Sequence, residues 1–257
     1  MGVITVKKCP VCGGQDLESF LQVKDHSISG ESFEIMRCSD CGLGITQRHP
    51  DRDSIDKYYA SEDYISHSDT AKGVVNRLYH AVRSFMLGRK QELVDKHASK
   101  GKLLDIGAGT GYFAAHMKGA GWDVIGLEPD EGARQVAREN FDLKMNDIAE
   151  LYNLPDRSFD VVTMWHVLEH VHNLNGDLDE ITRVLKLSGT LVIAVPNPTS
   201  SDAGKYKEAW AAFDVPRHLW HFSPESMNLL LGNHGFELIE TRSMPFDAFY
   251  VSMLSEK

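Results

Sequence analysis

The stretch "LLDIGAGTGYF", Leu103 to Phe113, decides how this chain reads. It opens as an apolar run interrupted by one acid, Asp105, the pattern of a strand buried on both faces. Gly107, Gly109 and Gly111 follow at alternate positions, and an aromatic pair, Tyr112 and Phe113, starts a helical pattern. Glycines at such a turn let the backbone approach a ligand where N–H groups and a helix dipole point outward. A second acid, Glu128, ends the next apolar run 23 residues after Asp105, where a carboxylate takes both hydroxyls of a ribose. A nicotinamide fingerprint reads G-x-G-x-x-G, whereas this loop reads G-x-G-x-G behind an acid. An acid there repels a pyrophosphate and suits an ammonium group.

Outward from the loop, strand and helix patterns alternate. "KLLDIG", "WDVIGLEP", "FDVVTMW" and "TLVIAVP" read as strands, and "YFAAHMKGAG", "EGARQVARENF" and "GDLDEITRVLKLSG" as helices, which predicts a parallel sheet covered on both faces. Further on, "SPESMNLLLGNHGF" begins with a Ser223 cap and Pro224 in the first turn, and "ELIETRSM" and "AFYVSML" are expected to close the sheet as strands. Before the loop, "VVNRLYHAVRSFMLGRKQELVDKH" sets Val75, Leu78, Tyr79, Val82, Phe85, Met86 and Leu93 at helical spacing. The "GRK" at 88–90 reads as solvated surface. Tyr58, Tyr59 and Tyr64, ahead of that helix, are either a lid or packing.

All four cysteines fall in the first 41 residues: Cys9 and Cys12 in "CPVCGG", Cys38 and Cys41 in "CSDCGL". Two CxxC pairs, each followed by glycine, suit two knuckles around one tetrahedral ion, zinc first and iron second. A disulfide pair is rare in a cytosolic protein, and a redox motif needs no second copy. With the strand-like "ESFEIMRC" between them, the segment reads as a zinc ribbon that needs its metal to fold. The expected organisation is a ribbon over 1–48, an aromatic segment and linker helix over 49–98, and a ligand-binding domain over 99–257.

Composition narrows the partners. With 27 basic and 37 acidic residues the formal charge is −10, which disfavours nucleic acid. No run approaches a membrane span and "MGVITVKKCP" lacks a leader pattern, so the expectation is a cytoplasmic protein acting on a small molecule.

The ordered motifs "LLDIGAGTGYF", "VIGLEPD", "NDIAEL", "LPDRSFDVVTMWHVLEHV" and "EITRVLKLSGTLVIAVPN" resemble the seven-stranded, Rossmann-like S-adenosylmethionine-dependent methyltransferases. The resemblance covers 101–198 and implies an α/β fold, a seven-stranded sheet with helices on both faces, preceded here by the ribbon. It implies that Gly107, Ala108, Gly109, Gly111, Tyr112 and Phe113 surround the donor's methionine part, with Asp105 beside its ammonium. Glu128 and Pro129 would meet the ribose, and Asp147 with Ile148 the adenine, unless Asp147 is only a helix cap. Trp165, His166 and Tyr64 complete the implied donor-binding set.

The cluster "WHVLEHVHN", 165–173, then falls at a strand end beside the donor methyl rather than inside a zinc peptidase helix. Three readings stay open. Methyltransferases of quinone biosynthesis carry E-x-x-E-H here and hold a divalent metal; in this chain His166 replaces the first Glu. Otherwise His170, tuned by Glu169, is the general base, with His221 or His166 as second choices, or Glu169 and His170 only hold the turn. "PRHLWHFS" adds Arg217, His218, Trp220 and His221, either for an anionic or aromatic acceptor or for loop packing. The ribbon followed by "YYASEDYISHS" also resembles sugar C-methyltransferases, which implies a lid role for Tyr59, Tyr64 and His67.

Overall fold

The computed structural model describes residues 2–59 and 74–256; Tyr64 and His67 lie outside them. Along the chain the strands are β1 (Val3–Ile4), β2 (Leu17–Lys24), β3 (Ser32–Cys38), β4 (Gly44–Thr46), β5 (His49–Pro50), β6 (Lys102–Ile106), β7 (Asp123–Leu127), β8 (Lys144–Asn146), β9 (Phe159–Trp165), β10 (Leu185–Ala194) and β11 (Trp220–His221). The α-helices are α1 (Val74–His97), α2 (Tyr112–Gly119), α3 (Glu131–Phe141), α4 (Leu174–Val184), α5 (Ser201–Tyr206), α6 (Pro224–Asn233) and α7 (Pro245–Ser255). Among the described residues no helix is long and apolar enough to cross a membrane.

The chain forms two compact units. One comprises Met1–Ser68, Glu169–Asn175 and Val195–Lys257; the other comprises Asp69–Leu168 and Gly176–Ala194. The C-terminal segment from Val195 thus groups with the cysteine-bearing segment in one unit.

The second unit carries the glycine loop on a parallel sheet of order β10-β9-β6-β7-β8. Parallel neighbours require crossovers, which α2 and α3 supply between β6, β7 and β8. The strand order reverses between β6 and β9, so the carboxyl ends of these two strands flank the switch point where such sheets bind ligands. Leu103, Val161, Met117, Trp122 and Val124 form the buried core with Val94 of α1.

Seven strands were expected and five are found in this sheet. The stretch 237–243 forms no strand, and "AFYVSML" lies inside α7, which starts on Pro245. A short apolar run has no decisive period, and proline at the first helical position tips it toward helix. Helix α4 ends at Val184, and the next strand begins immediately at Leu185 with an irregularity before Thr190. In α1 the inward positions are Leu87, Leu93 and Val94, whereas Val82 and Phe85 of the expected stripe are exposed.

The first unit is built on an antiparallel sheet of order β11-β4-β3-β2. Its fourth strand comes from the "PRHLWHFS" segment, with Trp220 opposite Ile45 and His221 opposite Gly44. A Cβ on Gly44 would stand 2.9 Å from the Cβ of His221, so glycine permits this pairing. Ser223 caps α6 by accepting from Ser226 N at 3.1 Å, with Pro224 in the first turn.

Candidate functional sites

In the parallel-sheet unit, β6 delivers Asp105 and β9 delivers Thr163 on either side of the switch point. The Thr163 hydroxyl donates to Asp105 Oδ1 at 2.7 Å. Burial raises the Asp105 carboxyl to about 7; the Thr163 bond and the nearby Lys90 charge pull it down, and Glu128 pushes it up. The turn after β6 is fixed by Gly107 and Ala108 N–H groups donating to Leu127 O at 2.8 and 3.0 Å. Gly107 has φ +70, and a Cβ there would stand 2.3 Å from Val167 Cγ2. Gly109 differs: its φ is +54, yet a Cβ would meet nothing within 4 Å among the described residues. Gly109 N–H donates to Glu128 Oε2 at 2.8 Å, which brings the two donor motifs together. A glycine turn beside one buried and one half-buried carboxylate, Asp105 and Glu128, fits a ligand with ammonium and hydroxyl groups.

Other expected donor residues have defined partners. Phe113 packs edge-on against Trp165 with ring centroids 5.2 Å apart, and Tyr112 does the same with Phe141 at 5.1 Å. Pro129 lends its carbonyl to Arg134 at 2.8 Å. Asp147 caps the turn that starts at Ile148, accepting from Ala149 N at 2.9 Å, and pairs with Arg134 at 3.0 Å. Both oxygens thus have protein partners, the capping role weighed from sequence. His166 follows β9 at φ +60, is exposed, and donates its backbone N–H to Ala194 O at 2.9 Å. Lys90 was read as solvated surface; its Nζ instead lies 4.4 Å from the Trp165 ring centroid.

In the other unit, Cys9, Cys12, Cys38 and Cys41 converge, all four sulfurs within 4.8 Å of one another and none in a disulfide. Sγ separations of 3.5 Å (Cys9–Cys41) and 3.4 Å (Cys12–Cys38) are close to the roughly 3.8 Å between ligands of a tetrahedral zinc with ~2.3 Å bonds. Gly13 and Gly42 both take positive φ, and each N–H returns to the first cysteine of its pair, Cys9 O and Cys38 O, at 2.9 Å. Burial pushes the Cys9 thiol up to about 11 and Cys41 higher still, while hydrogen bonds hold Cys12 below the ordinary thiol range against burial. The donor set fits a thiolate-bound metal.

The same unit gathers the histidines. His170 Nδ1 donates to Arg217 O at 2.9 Å, with Tyr59 Oη 3.1 Å away. His218 Nδ1 donates to Ala212 O at 2.8 Å. Carbonyl oxygens only accept, so each ring donates from a protonated Nδ1. The two rings meet edge-on with centroids 4.6 Å apart, and ligand atoms of Glu169, His170 and His218 lie within 4.8 Å of one another. Burial holds His170 down to about 4 and His221 to about 3, so both rings are neutral at pH 7. Arg217 is 3% exposed; it pairs with Asp214, donates to Tyr58 O at 2.8 Å and lies 3.5 Å from Asp25. Trp220 donates to Val171 O at 2.7 Å. Arg217 and Trp220 thus both have partners within this unit. Thr46, which contacts His221 and His218 O, was missed, since a threonine outside any motif carries no local signal.

The comparisons agree with this architecture. A family model described as "Methyltransferase domain" matches residues 78–241. The chain belongs to that family, the S-adenosylmethionine-dependent methyltransferases. A "Probable S-adenosylmethionine-dependent methyltransferase" of Mycolicibacterium smegmatis is 30% identical over 60% of this chain, which spans 60% of that relative's length. A "Ubiquinone biosynthesis O-methyltransferase" of Rickettsia typhi is 27% identical over 71% of this chain and 80% of its own. In fold, the chain is similar to a SAM-dependent methyltransferase from Archaeoglobus fulgidus, with TM-score 0.51, 24% identity, and 68% of this chain and 85% of the other covered.

Proposed function

We propose that the protein transfers a methyl group from S-adenosylmethionine to a small-molecule acceptor at oxygen or carbon, with a histidine as general base and a structural zinc on the four cysteines. The observation that carries the base assignment is the His170 ring: Nδ1 is committed to Arg217 O, and Nε2 is left as proton acceptor on a ring neutral at pH 7. Burial and the His218 charge oppose protonation, while Glu169 and Asp214 favour it. Glu169 thereby tunes the base. The donor supplies an electrophilic methyl on a sulfonium. Asp105 receives its ammonium, Glu128 its ribose and the turn at Gly109 its chain. Oxygen as acceptor is favoured by the similarity to ubiquinone-biosynthesis O-methyltransferases.

The test is S-adenosylhomocysteine formation against a panel of phenols and catechols, with His170→Ala and His170→Gln. We expect donor binding to persist and turnover to fall at least ~100-fold. Full turnover in His170→Ala removes this residue as base, and donor binding without any product formation leaves a sensor.

A second reading is favoured by the grouping of Glu169, His170 and His218. A divalent ion there would ionise an acceptor hydroxyl, and His170 would be its ligand. Metal content of a Cys9→Ser/Cys12→Ser variant separates the two, since a retained, His218-dependent ion supports the second.

A further inference from the structure

The cysteine-bearing unit also holds a cavity of about 350 Å³, within the roughly 300–1,000 Å³ of small-molecule pockets. Its apolar lining joins Phe20 and Leu21 of β2 to Ala203 and Phe213 of the C-terminal segment, which pack in one cluster. The register of β2 accounts for Phe20. Ser19 stands opposite Met36 and Leu21 opposite Ile35, so Phe20 is the extra residue of a bulge, a device that re-aims a side chain. Over its ring lies Arg37 of β3, with Cζ 3.5 Å from the centroid. A second cation on the lining is Lys207, which leaves α5 at φ +50 and is exposed. Among the described residues no acid lines the cavity.

Glu18 is the cross-strand neighbour of Arg37, yet among the described residues no carboxylate pairs with the guanidinium. Burial lowers the Arg37 pKa from its ordinary value, with no acid to offset it. Lys207 Nζ likewise has no acceptor among the described residues. A guanidinium that close to a ring centroid stacks on the ring and keeps its N–H edge for an acceptor, two of whose oxygens it can take side by side. In a chain of net charge −10, two cations on apolar walls suit one anionic group carried on an apolar body. We propose that this cavity binds a small aromatic carboxylate, its ring against Phe20, Leu21 and Phe213 and its carboxylate on the Arg37 fork beside Lys207. The site is independent of the donor assignment, because its lining belongs to the cysteine-bearing unit and the glycine loop to the other.

The test is calorimetric titration of the full chain with 1-naphthoate, the neutral 1-naphthamide and 1-naphthyl phosphate. Wild type is expected to bind 1-naphthoate about ten- to a hundredfold tighter than 1-naphthamide, the range of charge-assisted hydrogen bonds, and tighter than 1-naphthyl phosphate. Arg37→Gln should bring naphthoate and naphthamide to within about threefold of each other, and Arg37→Lys should restore part of the difference. Lys207→Gln, at an exposed position, should lose a smaller part and keeps the test open should Arg37→Gln destabilise the sheet. Gly204 lines the cavity from α5, and a Cβ there meets nothing within 4 Å among the described residues. Gly204→Leu should fill the space, weakening naphthoate at least about tenfold at an unchanged melting temperature. No saturable binding of naphthoate to the wild type, or equal affinity for naphthoate and naphthamide, overturns the proposal. So does naphthoate binding that Gly204→Leu and Arg37→Gln leave unchanged, which puts the ligand elsewhere. A preference for naphthyl phosphate overturns it as well, since the site would then be one for phosphate esters.

Discussion

Thr46 Oγ1 lies 2.9 Å from His221 Nε2. The Thr46 hydroxyl spends its only proton on His218 O at 2.6 Å, so it faces His221 with a lone pair and fixes that ring as the Nε2–H tautomer. Replacing Thr46 with valine keeps the shape and leaves a buried N–H and a buried carbonyl without this partner. The expected cost is about 1–3 kcal/mol in chemical denaturation, and Thr46→Ser should recover most of it. Nitrogen NMR of His221 should show the proton moving from Nε2 in the valine variant only.

Donor affinity should depend on pH through Asp105. Its carboxyl is raised to about 7, so at pH 6 only about a tenth is ionised and able to receive an ammonium. Affinity for S-adenosylhomocysteine is expected to tighten about tenfold from pH 6 to pH 8, with proton release on binding at the lower pH. Asp105→Asn should bind weakly with no such slope. The sign for folding is opposite: the folded chain holds this proton longer than the unfolded one, so this group's contribution declines as pH climbs from about 4 to about 7.

The buried histidines act at the acidic side. His170 and His221 have folded values of about 4 and 3, against about 6.5 when unfolded, so the unfolded chain binds protons first as pH falls. Each should cost about 1 kcal/mol between pH 6.5 and 5.5. Urea midpoints across that range check this, and His221→Asn should flatten the slope.

Two glycines of one loop should fail differently. Gly107→Ala drives a Cβ to 2.3 Å from Val167 at positive φ, and the melting temperature should drop by several degrees. Gly109→Ala meets no atom of the described residues within 4 Å, and the expected cost is that of φ +54, about 1 kcal/mol. Its main effect should be weaker donor binding, read by calorimetry, because the added methyl group stands on the turn assigned to the donor.

Removing the metal from the cysteine cluster should disturb the histidines. Cys38 ends β3, Cys41 lies three residues before β4, and β4 carries β11 with His221. Chelation, or Cys38→Ser, is expected to release one zinc per chain and to shift the NMR signals of His218 and His221, with Val161 and Val192 of the parallel sheet unmoved.

Four strands of the parallel sheet were legible because β6, β7, β9 and the second half of β10 are largely apolar runs, as strands buried on both faces demand, whereas β8, only Lys144–Asn146, was too short and polar to show. The loop from Asp105 to Phe113 was legible too, since only glycine accepts its φ values without strain. The C-terminal end was misread: "AFYVSML" has no period to separate strand from helix, and what it packs against is set by residues far away, such as Ala211, whose N–H meets Ser255 Oγ at 2.9 Å. The cysteine spacing announced a cluster but gave no hint that "LWHF" would add a strand beside it. The contact of Lys90 with the Trp165 ring was invisible because it joins residues 75 apart in the chain.

The β4–β11 pairing also constrains how the chain is made. Gly44 and Ile45 leave the ribosome long before His221 and Trp220, and until those arrive β4 shows a bare edge to any strand in reach. The ribbon is therefore not a portable module. A fragment ending at residue 98 keeps its cysteines but exposes that edge, and in the whole chain the closing of this sheet is a late, long-range event in folding, exposed to mispairing while the C-terminal segment is still being synthesised.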